Sequence, residues 1–261
     1  DTATNPWDYI LCIEGACLWA SAIVRRGDPE ARGMASFPFT TRPSPVGHGG
    51  LTMKDGTKPK QAKREIAEVW LPTWPKPVTF SEVGAILAEG RACNGASRAA
   101  DGLDFARSAA SLGIDRGIDS FFRQSFLMRN GQSFMAVSLG RFDVNSRPDI
   151  DLVREADVWL ERFRRAASDD KAPPRFRSAL NRIESAVFEF CKYGGASRFA
   201  EILCALGNAE RELASGERFR QAKRVMPMAG LSAEWLRAAN DATPEYEIAL
   251  AITGIHDPEF R

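Results

Sequence analysis

Histidine and clustered cysteine are what this chain has least of. Its two histidines, His48 and His256, lie far apart, and its five cysteines (Cys12, Cys17, Cys93, Cys191, Cys204) include no Cys-x-x-Cys pair. A zinc site needs clustered nitrogen and sulfur ligands, and this pattern offers none. An odd, dispersed set of cysteines fits a reduced, cytoplasmic protein rather than a disulfide framework. Cys191 and Cys204 fall in apolar helical stretches and read as small buried side chains.

The motifs of common catalysts are missing too. There is no GxxxxGK[ST] phosphate loop, no GxGxxG after a strand, no HExxH and no GxSxG elbow. Asp101 with Asp104, and Asp115 with Asp119, sit near helix starts, where acidic side chains suit the helix dipole. The expectation is no catalysis, no cofactor and no metal. No apolar run is long enough to span a bilayer: the stretch from Tyr9 to Val24 is interrupted by Glu14 and flanked by Asp8 and by Arg25-Arg26. The net charge is +1, so no global field draws the chain to nucleic acid, and any such binding has to come from local patches. The chain lacks an initiator methionine and stops shortly after a helical stretch, which reads as a fragment of a longer protein.

What is present is an ordinary globular composition, 44% hydrophobic and 26% charged over 261 residues, enough for one large domain or two small ones. The most informative stretch is Gly113 to Phe142. It holds four arginines (Arg116, Arg123, Arg129, Arg141) and five phenylalanines (Phe121, Phe122, Phe126, Phe134, Phe142), with no acidic residue from Ser120 onward. Two glycines frame a helix start over Ile114 to Ser120. Asn130-Gly131 between two apolar runs predicts a tight hairpin, because a type I′ turn needs positive φ at both central positions. Two readings stand side by side. The phenylalanines fill a core and the arginines form a solvated face, or arginine and aromatic groups together hold a nucleic acid.

Along the chain, Asn5-Pro6 opens a helix to about Arg26, apolar on most sides and therefore expected at the centre of the core. Ser36 to Thr41 reads as a short edge strand. From Arg42 to Arg64 there are six basic residues (Arg42, Lys54, Lys58, Lys60, Lys63, Arg64) and one acidic, Asp55, in a loop rich in proline and glycine. That loop is either a solvated insertion or a segment that orders on a phosphate backbone. Glu68 to Trp74 reads as extended. Thr79-x-x-Glu82 predicts a capping box for a helix ending at Gly90. Arg91 to Ala100 reads as a loop. Asp101 to Leu112 reads as a helix stopped by Gly113, with Asp104 and Arg107 spaced to pair at its surface.

Past Phe142 the pattern turns helical, with a soft boundary at Asn145 to Asp149. Helices are predicted over 150–167, 175–192, 197–214, 232–239 and 243–253, joined by short breaks that favour antiparallel packing. The arginine-rich ends around Ser168 to Pro174 read as solvated helix surface, or as a second nucleic-acid patch. The fold class expected is mainly α (α+β): residues 1–145 as an α+β domain with a small antiparallel β element, and 146–261 as a helical bundle.

Five segments together carry a resemblance: NPWDYILCIEG (Asn5 to Gly15), FPFTTRPSPVGHG (Phe37 to Gly49), EVWLPTW (Glu68 to Trp74), the block Gly102 to Phe142, and WLERFRRA (Trp159 to Ala166). In order and spacing the chain resembles the Csx-seventeen family, the large subunit of the type I-G (formerly I-U) CRISPR Cascade surveillance complex. The region that precedes the NPWD block in that family is missing here. The resemblance implies a non-catalytic subunit of an RNA-guided complex. Its partners would be guide RNA, target DNA, the backbone and guide-processing Cascade subunits, and a helicase-nuclease recruited in trans. Within such a complex base pairing reads sequence, and protein reads shape and the flanking motif. On charge and turn geometry, the nucleic-acid contacts are expected at Arg116, Arg123, Arg129, Asn130, Gln132 and Arg141. The basic loop would add Arg42, Lys54, Lys58, Lys60, Lys63 and Arg64. The competing expectation is a pure scaffold, with the hairpin packed on another subunit.

Overall fold

The computed structural model describes residues 5–21, 39–44, 46, 65–89, 93–94, 97–112, 117–129 and 133–253. It is mainly α, of the α+β kind, and the chain divides into two compact units: residues 1–44 with 48–145, and residues 45–47 with 146–261.

The first unit is built on an antiparallel sheet in the order β1-β2-β5-β6, from β1 (Thr40–Thr41), β2 (Glu65–Thr73), β5 (Ser120–Arg129) and β6 (Ser133–Asp143). Residues opposite each other in such a sheet share a face. Trp70 lies opposite Arg123, Pro72 opposite Phe121, and Phe121 opposite Phe142. On that face sits helix α3 (Gly102–Leu112), whose Phe105 ring stacks on Trp70 at 4.4 Å and meets Phe121 edge-on at 5.2 Å. Phe39 closes the group, 5.7 Å from Phe121. The core of this unit is therefore aromatic. Phe122, one residue out of phase, points to the opposite face and is 43% exposed. The β5–β6 pairing carries a bulge beside Arg123, where Gly140 adopts φ 92°, a backbone conformation that glycine takes without strain.

Local capping behaves as the residues dictate. Thr79 Oγ1 accepts from the Glu82 amide at 3.3 Å, and Glu82 Oε2 accepts from the Thr79 amide at 2.6 Å, closing the capping box of α2 (Phe80–Glu89). Asp101 Oδ1 accepts from the amides of Leu103 and Asp104, both at 3.0 Å, and starts α3. Arg107, expected at the helix surface opposite Asp104, is buried instead, and Asp104 accepts from the Ala100 amide at 3.1 Å.

Three further expectations change. Helix α1 (Pro6–Ser21) forms, but residues 5–17 are exposed throughout, with Trp7 at 68%, so the helix is not at the centre of the core. Gly117 to Asp119 is a turn rather than the end of a helix, since Gly117 at φ 73° interrupts right-handed winding and Ser120 already pairs with Thr73 and Asp143. The expected loop 91–100 contains two paired dipeptides, β3 (Cys93–Asn94) and β4 (Ser97–Arg98).

In the second unit the expected helix 150–167 is split. A 3-10 helix (Pro148–Ala156) precedes α4 (Asp157–Ala167). Helices α5 (Pro174–Tyr193) and α6 (Ala196–Ser215) run antiparallel. Phe190 near the end of α5 meets Phe199 near the start of α6 at 5.2 Å, while Arg175 at the other end of α5 reaches Glu212 at 3.6 Å. Then come α7 (Glu217–Lys223), which the apolar spacing had not revealed, α8 (Glu234–Ala238) and α9 (Pro244–Thr253). Arg147 donates to the carbonyls of Cys191 at 3.1 Å and Lys192 at 3.0 Å, satisfying the end of α5. Cys191 is buried, but Cys204 lies on an exposed face of α6, contrary to expectation.

Candidate nucleic-acid interface

The expected contacts fall into three groups. Arg116, Asn130, Gln132, Lys54, Lys58, Lys60, Lys63 and Arg64 lie outside the described residues. Arg129 is the last residue of β5, and its backbone pairs with Ser133 across the hairpin. The turn itself, with Asn130 and Gly131, lies outside the described residues. Arg42, Arg123 and Arg141 are described in full.

Arg123 is corrected. Its side chain is buried at 2% exposure, on the face that carries Trp70 and Phe121. Its Nε donates to Glu68 Oε1 at 2.8 Å, its Nη2 lies 2.8 Å from the same oxygen, and its guanidinium sits 4.9 Å from the Trp70 ring centroid. Glu68 is fully buried and accepts from the Ser44 amide at 3.0 Å through its other oxygen. A buried charge is tolerated only when paired and hydrogen-bonded, and here it is both. The pair joins β2, β5 and the segment after β1, so Arg123 holds the sheet unit together and does not reach a ligand.

Arg141 remains at the surface, 50% exposed, but it is already occupied: its Nη2 is 2.7 Å from Asp119 and its Nε 2.8 Å from Asp143. Two carboxylates around one guanidinium leave that spot net negative, which disfavours a phosphate there. Arg42 is exposed and donates from Nε to the Ala100 carbonyl at 3.4 Å. Its backbone is pinned from both sides, its amide to Ala100 and its carbonyl to the Gly102 amide, each at 3.2 Å. Arg42 is thus a surface cation at a fixed point, at the start of the basic loop. The sequence had no means to separate these three arginines, because each has a partner 22 to 58 residues away; only Asp143, the second partner of Arg141, is near in sequence.

Three of the six arginines flanking 168–174 are engaged within the bundle. Arg164 pairs with buried Glu184 at 2.9 Å, Arg165 with Glu161 at 2.7 Å, and Arg175 with Glu212. The helical unit also has a cleft of about 660 Å³ lined by Arg147, Asp149, Asp151, Glu155, Glu234 and Arg237. Arg237 pairs with Glu234, and Arg147 is committed to the carbonyls at the end of α5. Glu155 takes bonds from the Ser232 amide at 2.9 Å, the Ser232 hydroxyl at 2.7 Å and the Trp235 indole at 3.1 Å. The Ser232 amide, then its hydroxyl, hold that carboxyl below the usual range. Among the described residues no group of three or more His, Cys, Asp or Glu side chains can hold a metal ion, and no helix is long and apolar enough to cross a membrane.

No protein-family model matches the chain, and no curated protein matches it.

Proposed function

We propose that this protein is a non-catalytic large subunit of an RNA-guided CRISPR surveillance complex. In this reading it contributes to the binding of double-stranded target DNA in cytoplasmic antiviral defence, by helping to recognise the flanking motif and stabilise the R-loop. The observation that carries the reading is the ordered set of five segments that resemble the Csx-seventeen family. Three of those segments supply β1, β2 and the α3-β5-β6 run, and they share one aromatic core. The nucleic-acid surface in this reading is the hairpin end beyond Arg129 together with the basic loop that begins at Arg42. Guide RNA, target DNA and the other Cascade subunits are its partners, and the helicase-nuclease is recruited in trans.

A scaffold without direct nucleic-acid contact is the second reading. The observation favouring it is the exposed apolar helix α1, with Arg141 neutralised by Asp119 and Asp143.

The experiment is reconstitution with guide-RNA-bound companion subunits and titration against double-stranded target at several salt concentrations. The variants are Arg42→Ala, Arg129→Ala and Arg141→Ala. A weaker complex with a shallower salt slope, assembly intact, supports DNA contact, since removing one neutralised phosphate lowers the slope by about 0.9. Unchanged binding with impaired assembly favours the scaffold.

A further inference from the structure

Basic side chains predominate at one end of the helical unit, where Asp169, Asp170, Glu212 and Glu217 also lie, and acidic ones at the other. Residues 217–224 contain four basic side chains and one acidic, whereas Glu234 to Glu247 contains four acidic and one basic. Helix α7 is fixed against the turn between α4 and α5. The Phe219 ring stacks on Phe176 of α5 at 4.6 Å, Lys223 pairs with Asp169 in the turn, and Trp159 of α4 donates to the Met226 carbonyl at 3.1 Å. Arg224 ends the helix at φ 54°, and Val225 behind it is buried.

The result is a set of cations at one end of the unit: Arg218, Arg220 and Arg224 on and after α7, with Lys171 and Arg177 in the turn and first turn of α5. None of these five has an ion-pair partner among the described residues. The first turn of α5 carries no acidic residue and no side-chain cap. Cations there are disfavoured by the helix dipole; Arg175 is offset by Glu212, and Arg177 keeps a local electrostatic cost that a bound anion removes.

We propose that this end of the helical unit, α7 with the α4–α5 turn, binds the phosphate backbone of a nucleic acid. The surface lies wholly within the helical unit, and the inference does not depend on the function proposed above. Guanidinium predominates over ammonium in the set, and its planar fork matches phosphate oxygens. The aromatic residue of α7 is spent on Phe176, so the helix presents no aromatic side chain to a membrane surface. An acidic protein segment is the remaining competitor.

The test uses the full chain and two fluorescein-labelled probes of arbitrary sequence, a single strand and its duplex, titrated from about 50 to 300 mM salt. The triple variant Arg218→Gln, Arg220→Gln, Arg224→Gln is expected to lower the salt slope by about 2 to 3 and to weaken binding at low salt by at least about tenfold. The pair Lys171→Gln, Arg177→Gln tests the same surface without touching α7 and is expected to lower the slope by about 1 to 2. Arg237→Gln, at the acidic end, is expected to leave binding unchanged. Melting curves establish that each variant folds. Wild-type slopes in both the triple and the double variant overturn the proposal. So does loss of poly-glutamate binding with oligonucleotide binding intact, which makes the surface an acidic-protein dock. Variants at Arg42 and Arg129 run in parallel keep failure of this surface distinct from failure of the sheet unit.

Discussion

Glu68 and Arg123 meet inside the sheet unit with a 2.8 Å contact, both essentially without solvent exposure, although 55 residues separate them in sequence. Glu68 also lies against the start of α3: a Cβ built on Gly102 would stand 2.5 Å from Glu68 Oε2. One carboxylate thus fixes β2, β5, the segment after β1 and the approach of the helix.

Removing one partner leaves the other buried and uncompensated. Arg123→Ala or Glu68→Ala is expected to destabilise by about 3 to 5 kcal/mol, and the double replacement by Leu and Met by less. Denaturant unfolding of the single and double variants measures this. Loss of DNA binding by Arg123→Ala at wild-type stability would contradict the buried placement.

Gly102→Ala drives a methyl into a carboxylate that cannot swing away, because Arg123 and the Ser44 amide hold it. The expected cost is about 1 to 3 kcal/mol. Thermal melting reads it, and Gly207→Ala, where nothing lies within 4 Å, is the control.

Gly194 has φ 66° and ψ −165°, and an added Cβ would fall 2.3 Å from Arg147 Nη1. Gly194→Ala therefore strains the backbone and dislodges the arginine that caps α5. A loss of about 1 to 3 kcal/mol from the backbone alone is expected. Hydrogen exchange at the last turn of α5 should rise with it.

Glu155 links pH to the anchoring of α8. Its folded-state carboxyl is held low by the Ser232 amide and hydroxyl, so its contribution is present above the ordinary carboxylate range and is lost as pH falls through the lowered value. Melting temperature on the acidic side should fall less steeply in Glu155→Gln than in the wild type. Identical acid limbs would remove Glu155 from the linkage.

Thr79→Ala breaks the capping box of α2 on the surface, and a loss of about 1 kcal/mol is expected by denaturant unfolding.

Sequence alone determined what depends on neighbours a few residues apart. The Thr79–Glu82 box, the Asp101 start of α3, the bounds of α5 and α6 and the pairing of β5 with β6 follow from capping chemistry, period and turn residues. Helix α7 escaped because its core contribution is a single ring, Phe219, and one aromatic residue makes no period. Only the tertiary structure decided what each arginine does. Arg123, Arg141 and Arg42 look alike in sequence, yet one is buried on Glu68, one is neutralised by Asp119 and Asp143, and one is held at the surface by Ala100. The exposure of α1 is of the same kind. A helix apolar on most sides carries no statement of what it packs against. A charged or apolar side chain takes its role from the groups that surround it, and in this fold those groups come from distant strands and turns.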